Sequence, residues 1–543
     1  MQFDLKTLTL KLTFSDAIFH KSKQLMEKHA NIIIFFLLSM VSIAYFLYYL
    51  SNGLGVAYND ARSHLDISRR VVENITPGFA QLGSVWLPLP HLLATLTIWN
   101  DFMWHSGLAG AIQSMVAFVA TGIMIYLILK TLGVGMFGRI AGVAVFALNL
   151  NILYMQSTAM TELLLIGTMT AGMYQLLMWH KEGTLLRLLQ AAFWIMLSTL
   201  IRYDGWFLLA FAFALICIHS IRTWGYKKTE GLLVLFTTLA SFGIVLWLFW
   251  NLMIFKDPLY FAFGPYSANA QQSMLEAAGV LETKRNLPFS VQTYVYAMIY
   301  NAGFLTFILG VIGMVMFWFD KRIKGDLRIA AIALMAPFFF NIVALFLGHS
   351  VLFVQGLHGN SWFNVRYGLM MVPTIAIFIG YLLHRVKSVR YVLASLLLFV
   401  SVFSFTNGDA VTIDDAVVGA SGKNVAEVSG WLQENAKDKD GFVLISAASH
   451  DAIIFSSRLP MKRFIHEGTG KYWDEATTNP TRWARWIVLR TDDMNDSTFR
   501  ELKDNRSFKE NYTLVRTLPF ADIYELKPDF VNNLETKATL ALD

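Results

Sequence analysis

Apolar runs of membrane-spanning length recur from near the N-terminus to about residue 406, and no other feature limits the fold so strongly. They fall near 31–50, 107–129, 139–157, 163–179, 188–201, 206–221, 232–254, 298–319, 329–348, 367–383 and 391–406. A bilayer core about 30 Å thick needs about 20 predominantly apolar residues in helical form. Inside lipid every backbone polar group must be satisfied within the chain, so such runs fold as helices. About eleven spans are expected. The run at 188–201 is the shortest and leads straight into Arg202-Tyr203-Asp204. The 82–99 segment is also apolar, but Pro88, Pro90 and His91 predict a broken helix at the interface. Charged residues make up only 15% of the chain, where soluble proteins carry about 25%.

The connections between these runs alternate in character. Lys130–Arg139, Lys181–Arg187, Arg222–Lys228, Lys321–Arg328 and Arg385–Arg390 are all short and basic, which marks them as cytoplasmic. The connections between them hold Asp60, Glu162, the Arg202/Asp204 pair and the longer segments 255–297 and 349–366. An in–out series follows, with residues 1–30 cytoplasmic and the C-terminus extracytoplasmic. Lys6, Lys11, Lys21, Lys23 and Lys28 precede the first run, which is too long for a cleaved signal and reads as a signal anchor. The net charge of +6 is spread over these clusters rather than gathered into one arm, so nucleic acid is not an expected partner. The single cysteine, Cys217, lies inside an apolar run and allows neither a disulfide nor a Cys/His metal site.

Composition changes at about residue 407. Val425–Ala436 reads as an amphipathic helix, Gly441–Ser446 and Trp486–Arg490 as strands, and Thr513–Leu518 with Asp522–Leu526 as a hairpin broken by Pro519. The expected architecture is therefore an α-helical polytopic membrane domain over 31–406, with a first outer loop at 51–106. A soluble extracytoplasmic α/β domain over 407–543 follows it. No internal repeat is visible, and neither are the inverted halves common in transporters.

Uncommon polar groups crowd the outer ends of the spans. Ionisable side chains cost about 2.5–3.5 kcal/mol each at mid-membrane, so a collection on one side asks for a reason. In the first outer loop Asp60, Arg62 and His64 lie within five residues, and Asp60 and His64 share a helical face. The competing role is an ordinary helix start with Asn59 or Asp60 as N-cap. The amphipathic stretch Asp60–Glu73 offers Leu65, Ile67, Val71 and Val72 to lipid and Arg69 and Arg70 to headgroups. His91 is read as interfacial packing with ligand or base as the sharper alternative. Glu162 begins an apolar run, where helix-dipole stabilisation competes with a site role. Arg202 and Asp204 suit a local pair in a tight turn or a site. His358, Arg366 and Tyr367 stand in the last outer connection, where Arg366 either snorkels or binds phosphate bidentately. Tyr260, Phe261, Phe263 and Tyr266 form an aromatic stripe that reads as an anchoring belt or as a cover for a prenyl chain.

Four motifs in order carry a resemblance. They are Asn59-Asp-Ala-Arg-Ser-His-Leu-Asp-Ile-Ser-Arg-Arg70, Thr161-Glu-Leu-Leu164, Arg202-Tyr-Asp-Gly-Trp206 and Val365-Arg-Tyr-Gly-Leu-Met-Met-Val-Pro373. Together, across about residues 30–406, the chain resembles the GT-C class of polytopic glycosyltransferases, in the branch of protein O-mannosyltransferases and the lipid A aminoarabinose transferase. That family often has an Asp-Glu pair in the first loop, whereas here Ala61 follows Asp60. The resemblance implies a sugar carried on a polyprenyl or dolichyl phosphate and transferred with inversion to a protein, glycolipid or glycan acceptor. It implies Asp60 as base, Glu162 to position acceptor or sugar, and Arg366 on the lipid phosphate with Arg62 or Arg202 assisting. No cofactor is required by it, although a divalent metal is left open. A multi-pass transporter or lipid-linked sugar flippase and a membrane scaffold are the competing classes. The first predicts discontinuous helices and a polar path at mid-membrane.

Overall fold

The computed structural model describes residues 5–264, 267–277, 279–419 and 422–540. Every apolar run lies on helix. Six helices are long and apolar enough to cross a membrane: His29–Ser51, Leu108–Thr131, Asp204–Trp224, Gly325–Leu347, Val365–Arg385 and Arg390–Val417. Eight result if two bent pairs, Tyr226–Ala240 with Phe242–Phe255 and Leu287–Ala302 with Phe304–Phe319, each count as one. The chain is an integral membrane protein of mainly helical build.

Three sequence expectations are corrected here. The 298–319 run is not one straight helix, because the chain turns by 111° at Gly303, whose φ of 84° favours a residue without Cβ. The 139–157 run is also interrupted: one helix ends at Ala147, and Asn149 caps the next, Leu150–Met155, through the Ile152 amide. The apolar residues of the Asn59–Val72 helix do not form one lipid-facing stripe: Val72 is 41% exposed, but two of the others are covered by protein. Leu65 and Val71 are buried, and Arg69 is buried against Glu73 and Asp101 under the Ile98 carbonyl. A cover of polypeptide, helix Ala447–Ser457 among it, occupies the face that was expected to meet headgroups.

Contacts tie the basic connections to one another. The Gly135 amide donates to His384 Nδ1, Arg390 stands over the Phe137 ring, and Arg385 pairs with Asp320 at 2.6 Å. Three of the five basic connections thus share one end of the bundle. The motif residues meet elsewhere.

The C-terminal region holds a five-stranded sheet of β1 (Phe442–Ile445), β2 (Phe464–Ile465), β3 (Ala484–Leu489), β4 (Tyr512–Thr517) and β5 (Asp522–Leu526), ordered β2-β1-β3-β5-β4. β1 pairs in parallel with β2 and β3, while β5 runs antiparallel to β3 and β4. Two-residue alternation divides its side chains. Phe442, Leu444, Ile465 and Ile487 fill one layer, with Tyr472 and Trp483. Val443, Ile445, Trp486 and Val488 face the other way, into a core continuous with that of the membrane helices. β2 is the strand that the sequence reading did not anticipate. Its two residues are too short a stretch to show alternation.

Candidate active site

Four helix termini deliver charged groups to one place. Glu162 is the first residue of Glu162–Glu182, Asp204 the first of Asp204–Trp224, Asp60 lies in the first turn of Asn59–Val72, and Arg366 opens the segment that leads into Val372–Arg385. The Asn59–Val72 helix has Tyr58 at its N-cap, and neither Asn59 nor Asp60 caps it. Asp60 is thereby left to point at another chain segment. Gly368 sits so close to the Ala297 carbonyl that no Cβ would fit, which holds the Arg366 turn against helix Leu287–Ala302.

Arg366 is the hub. Its Nε donates to Glu162 Oε1 at 2.9 Å, one terminal nitrogen donates to Asp60 Oδ2 at 2.5 Å, and the other stands 3.8 Å from Asp415 Oδ2. The guanidinium also lies 4.8 Å above the Tyr58 ring. Arg202 reaches the same Glu162 oxygen at 3.2 Å and Asp204 at 3.4 Å, with Tyr367 beneath it at 4.9 Å. Asp60, Glu162, Arg202, Asp204, Arg366 and Tyr367, drawn from residues 60 to 367, therefore form one cluster.

Their exposures differ sharply. The side chains of Glu162 and Asp415 are fully buried and Arg366 is 3% exposed, but Arg202 is 23% and Asp60 37% exposed. Asp60 is the carboxylate of the group that solvent or a substrate can reach. Arg202 is the more accessible guanidinium.

His64, one turn beyond Asp60, hydrogen-bonds His91 at 2.9 Å and lies 4.3 Å from the Trp86 ring. Burial, with Arg202 and Arg366 nearby, pushes the His64 pKa down to about 3. Burial, with His64 and Arg70, holds His91 well below its usual range. Both imidazoles are neutral at ordinary pH, suited to hydrogen bonding and unsuited to holding phosphate by charge. His91 is packed inside the protein.

Two expected members lie elsewhere. Arg62 donates to the Val56 and Lys423 carbonyls, toward the C-terminal region. His358 contacts Thr293, Phe289 and the Val354 amide, and none of these is a carboxylate of the cluster. Of the aromatic stripe, Phe261 stacks on Tyr203 and packs edge-on to Trp206, beside Arg202, whereas Phe263 is exposed. Tyr266 lies outside the described residues. Tyr58 and Asp415 were not singled out by sequence. Asp415 lies four residues after Val411 on the buried face of Val411–Val417, a placement that only the folded chain reveals.

Among the described residues no group of three or more His, Cys, Asp or Glu is arranged to hold a metal ion. The carboxylates converge on guanidinium groups instead.

No protein-family model matches the chain, and no curated protein matches it by sequence. Its structure is similar to that of ArnT from Cupriavidus metallidurans bound to undecaprenyl phosphate, with a TM-score of 0.57 at 11% identity. The match covers 92% of this chain and 99% of ArnT. The fold is that of ArnT. ArnT in the apo state matches at a TM-score of 0.54, over 90% of this chain and 98% of that one, also at 11% identity. The apo oligosaccharyltransferase of Archaeoglobus fulgidus is matched at 0.48 and 12% identity, over 93% of this chain and 75% of its own. Coverage of nearly all of ArnT means that the similarity takes in the C-terminal region as well as the helices.

Proposed function

We propose that this chain is an inverting glycosyltransferase that moves a sugar from a polyprenyl-phosphate carrier to an acceptor hydroxyl on the extracytoplasmic face of a membrane. The observation that carries the reading is the meeting of an accessible carboxylate, Asp60, with two guanidinium groups held by buried acids. The fold shared with a protein seen bound to undecaprenyl phosphate supports the donor class.

The chemistry needs a base and fixed positive charge, because a phosphate ester leaves as an anion without a strong general acid. Asp60 takes the proton of the acceptor hydroxyl as its oxygen attacks the anomeric carbon from the face opposite the phosphate. The bond from that carbon to the phosphate oxygen breaks, and its electron pair leaves with the lipid phosphate. Arg202 is placed to meet that charge, with its side chain 23% exposed. Arg366, assigned to the phosphate on sequence grounds, is nearly enclosed by Asp60, Glu162 and Asp415. Its role in this mechanism is to fix Asp60 and contribute field. Glu162 ties the two guanidinium groups together, and the neutral His64–His91 pair beside Trp86 offers hydrogen bonds and an aromatic face to sugar hydroxyls.

The topology proposed with this reading has eleven crossings. It counts each bent pair once and adds the shorter helices Met136–Ala147 and Leu185–Thr199 and the 21-residue helix Glu162–Glu182 to the six long ones. The N-terminus is then cytoplasmic, and the region after 407 is an extracytoplasmic domain. The breaks at Gly303, after Ala240 and after Ala147 are features that a transport protein would also predict. Purified protein in nanodiscs, given a panel of radiolabelled polyprenyl-phosphate hexoses and pentoses, separates the two readings. Release or transfer of sugar is expected. Carrier exchange across liposomes with no cleavage of the sugar–phosphate bond would establish transport instead.

A further inference from the structure

We infer that Asp415, supplied from the end of the last long apolar segment, is a positioning residue for the reaction proposed above, acting through Tyr58 and Arg366. The inference rests on that reading of the function. Asp415 is fully buried, and its Oδ2 accepts from the Tyr58 hydroxyl at 3.1 Å while facing an Arg366 terminal nitrogen at 3.8 Å. Tyr58 in turn forms the floor under the Arg366 guanidinium and is the N-cap of the helix that carries Asp60 two residues on. Asp415 thus touches both the group that aligns the base and the residue from which the base's helix starts.

The segment bearing Asp415 is held on both sides. At one end the Thr412 amide and hydroxyl both donate to Asn151 Oδ1, at 3.0 and 2.8 Å. The side-chain Nδ2 groups of Asn149 and Asn151 donate to the Asn301 carbonyl, and the Asn301 side chain donates to the Val365 carbonyl, immediately before Arg366. At the other end Arg62 donates to the Lys423 carbonyl. A run of asparagines, Asn151 and Asn301 buried among them, therefore sets the backbone of Asp415 and that of Arg366 against each other. Burying a carboxylate is costly unless it is paired, and the Tyr58 hydroxyl and the Arg366 guanidinium supply partners for this one. Its charge beside Arg366 fixes which edge of the guanidinium faces Asp60.

The test measures kcat, donor KM and melting temperature in nanodiscs with the same polyprenyl-phosphate sugar panel. The proteins compared are wild type, Asp415→Asn, Asp415→Glu, Tyr58→Phe, the Tyr58→Phe/Asp415→Asn double variant and Asp60→Asn. Asp414→Asn, the same charge change at the exposed neighbour, is the control. Asp415→Asn is expected to lower kcat about 10- to 100-fold, as misplacement of a reacting group does, with donor KM unchanged. Asp415→Glu should recover part of the loss, and the double variant should be no worse than Asp415→Asn alone. Wild-type kcat in Asp415→Asn while Asp60→Asn is inactive would overturn this inference and leave the glycosyl-transfer reading standing. A kcat loss matched by a fallen melting temperature, without recovery in Asp415→Glu, would reduce Asp415 to a structural role. If the wild-type protein cleaves no donor of the panel, the functional reading fails and takes this inference with it.

Discussion

Asp60→Asn separates catalysis from folding more cleanly than any other change in the cluster. The side chain is isosteric, and an amide oxygen still accepts from the Arg366 nitrogen now 2.5 Å from Asp60. Arg366 is not stranded by the loss, because Glu162 remains at 2.9 Å and Asp415 at 3.8 Å. Asp60 is itself 37% exposed, so its pair is screened, and a cost to stability under about 1 kcal/mol is expected. A positioned base contributes about 10²–10⁴ in rate, or about 2.7–5.5 kcal/mol of barrier. The assay is single-turnover sugar release from the polyprenyl-phosphate donor, run beside a thermal melt of the same preparation. Transfer should fall at least 100-fold while the melt shifts little. Transfer within threefold of wild type would refute the assignment of Asp60 as base, and a collapse of the melt would show that its role is to hold the fold.

Glu162→Gln should do the reverse: it removes a fully buried charge shared by Arg366 and Arg202, and about 3 kcal/mol of stability should be lost, read as an earlier melt of the membrane domain. Arg202→Ala should raise donor KM with a smaller effect on kcat, and an unchanged KM would place the lipid phosphate elsewhere. His64→Gln tests the neutral imidazole pair. The folded-state pKa of His64 is depressed to about 3 from an ordinary value of about 6.5. Between those values the unfolded chain takes up a proton that the folded one refuses. Stability is therefore full above about pH 6.5 and declines as pH falls toward 3, and melts recorded across that range should show a shallower decline in the variant. Gly368→Ala should lower both melt and transfer, since a Cβ there meets the Ala297 carbonyl; tolerance would show that the Arg366 turn can shift without harm.

Periodicity and composition revealed the helices because lipid imposes a local rule: each span must satisfy itself, so its signal is complete within about 20 residues. The strands at Phe442–Ile445 and Ala484–Leu489 were legible for a related reason, being apolar runs bounded by polar chain. The break at Gly303 was not legible, since one glycine in an apolar run fits a straight helix as well as a sharp turn. The Asn59–Val72 helix misled in an instructive way. Its amphipathic pattern was read correctly, but amphipathicity says only that one face is covered, and a second part of the protein covers it as well as lipid would. Asp415 escaped notice because its partners Tyr58 and Arg366 lie 357 residues away and in another helix. Nothing near it in sequence distinguishes it from Asp414.

The roles inside the cluster follow from exposure rather than from residue type. Asp60, Glu162, Asp204 and Asp415 offer four carboxylates to the two guanidinium groups of Arg202 and Arg366. A buried carboxylate against a buried guanidinium is locked, since separating them strands a charge in a medium that solvates it poorly. Glu162, Asp204 and Asp415, each at most 4% exposed, are locked in this sense. Asp60 alone of the four reaches the surface of the cluster, so it can exchange its guanidinium partner for a substrate hydroxyl at low cost. In the proposed reaction the donor phosphate favours that exchange, because an anion near Arg202 competes for the same positive field that holds Asp60. Donor binding and release of the base are coupled in that reaction through the charges of the cluster itself.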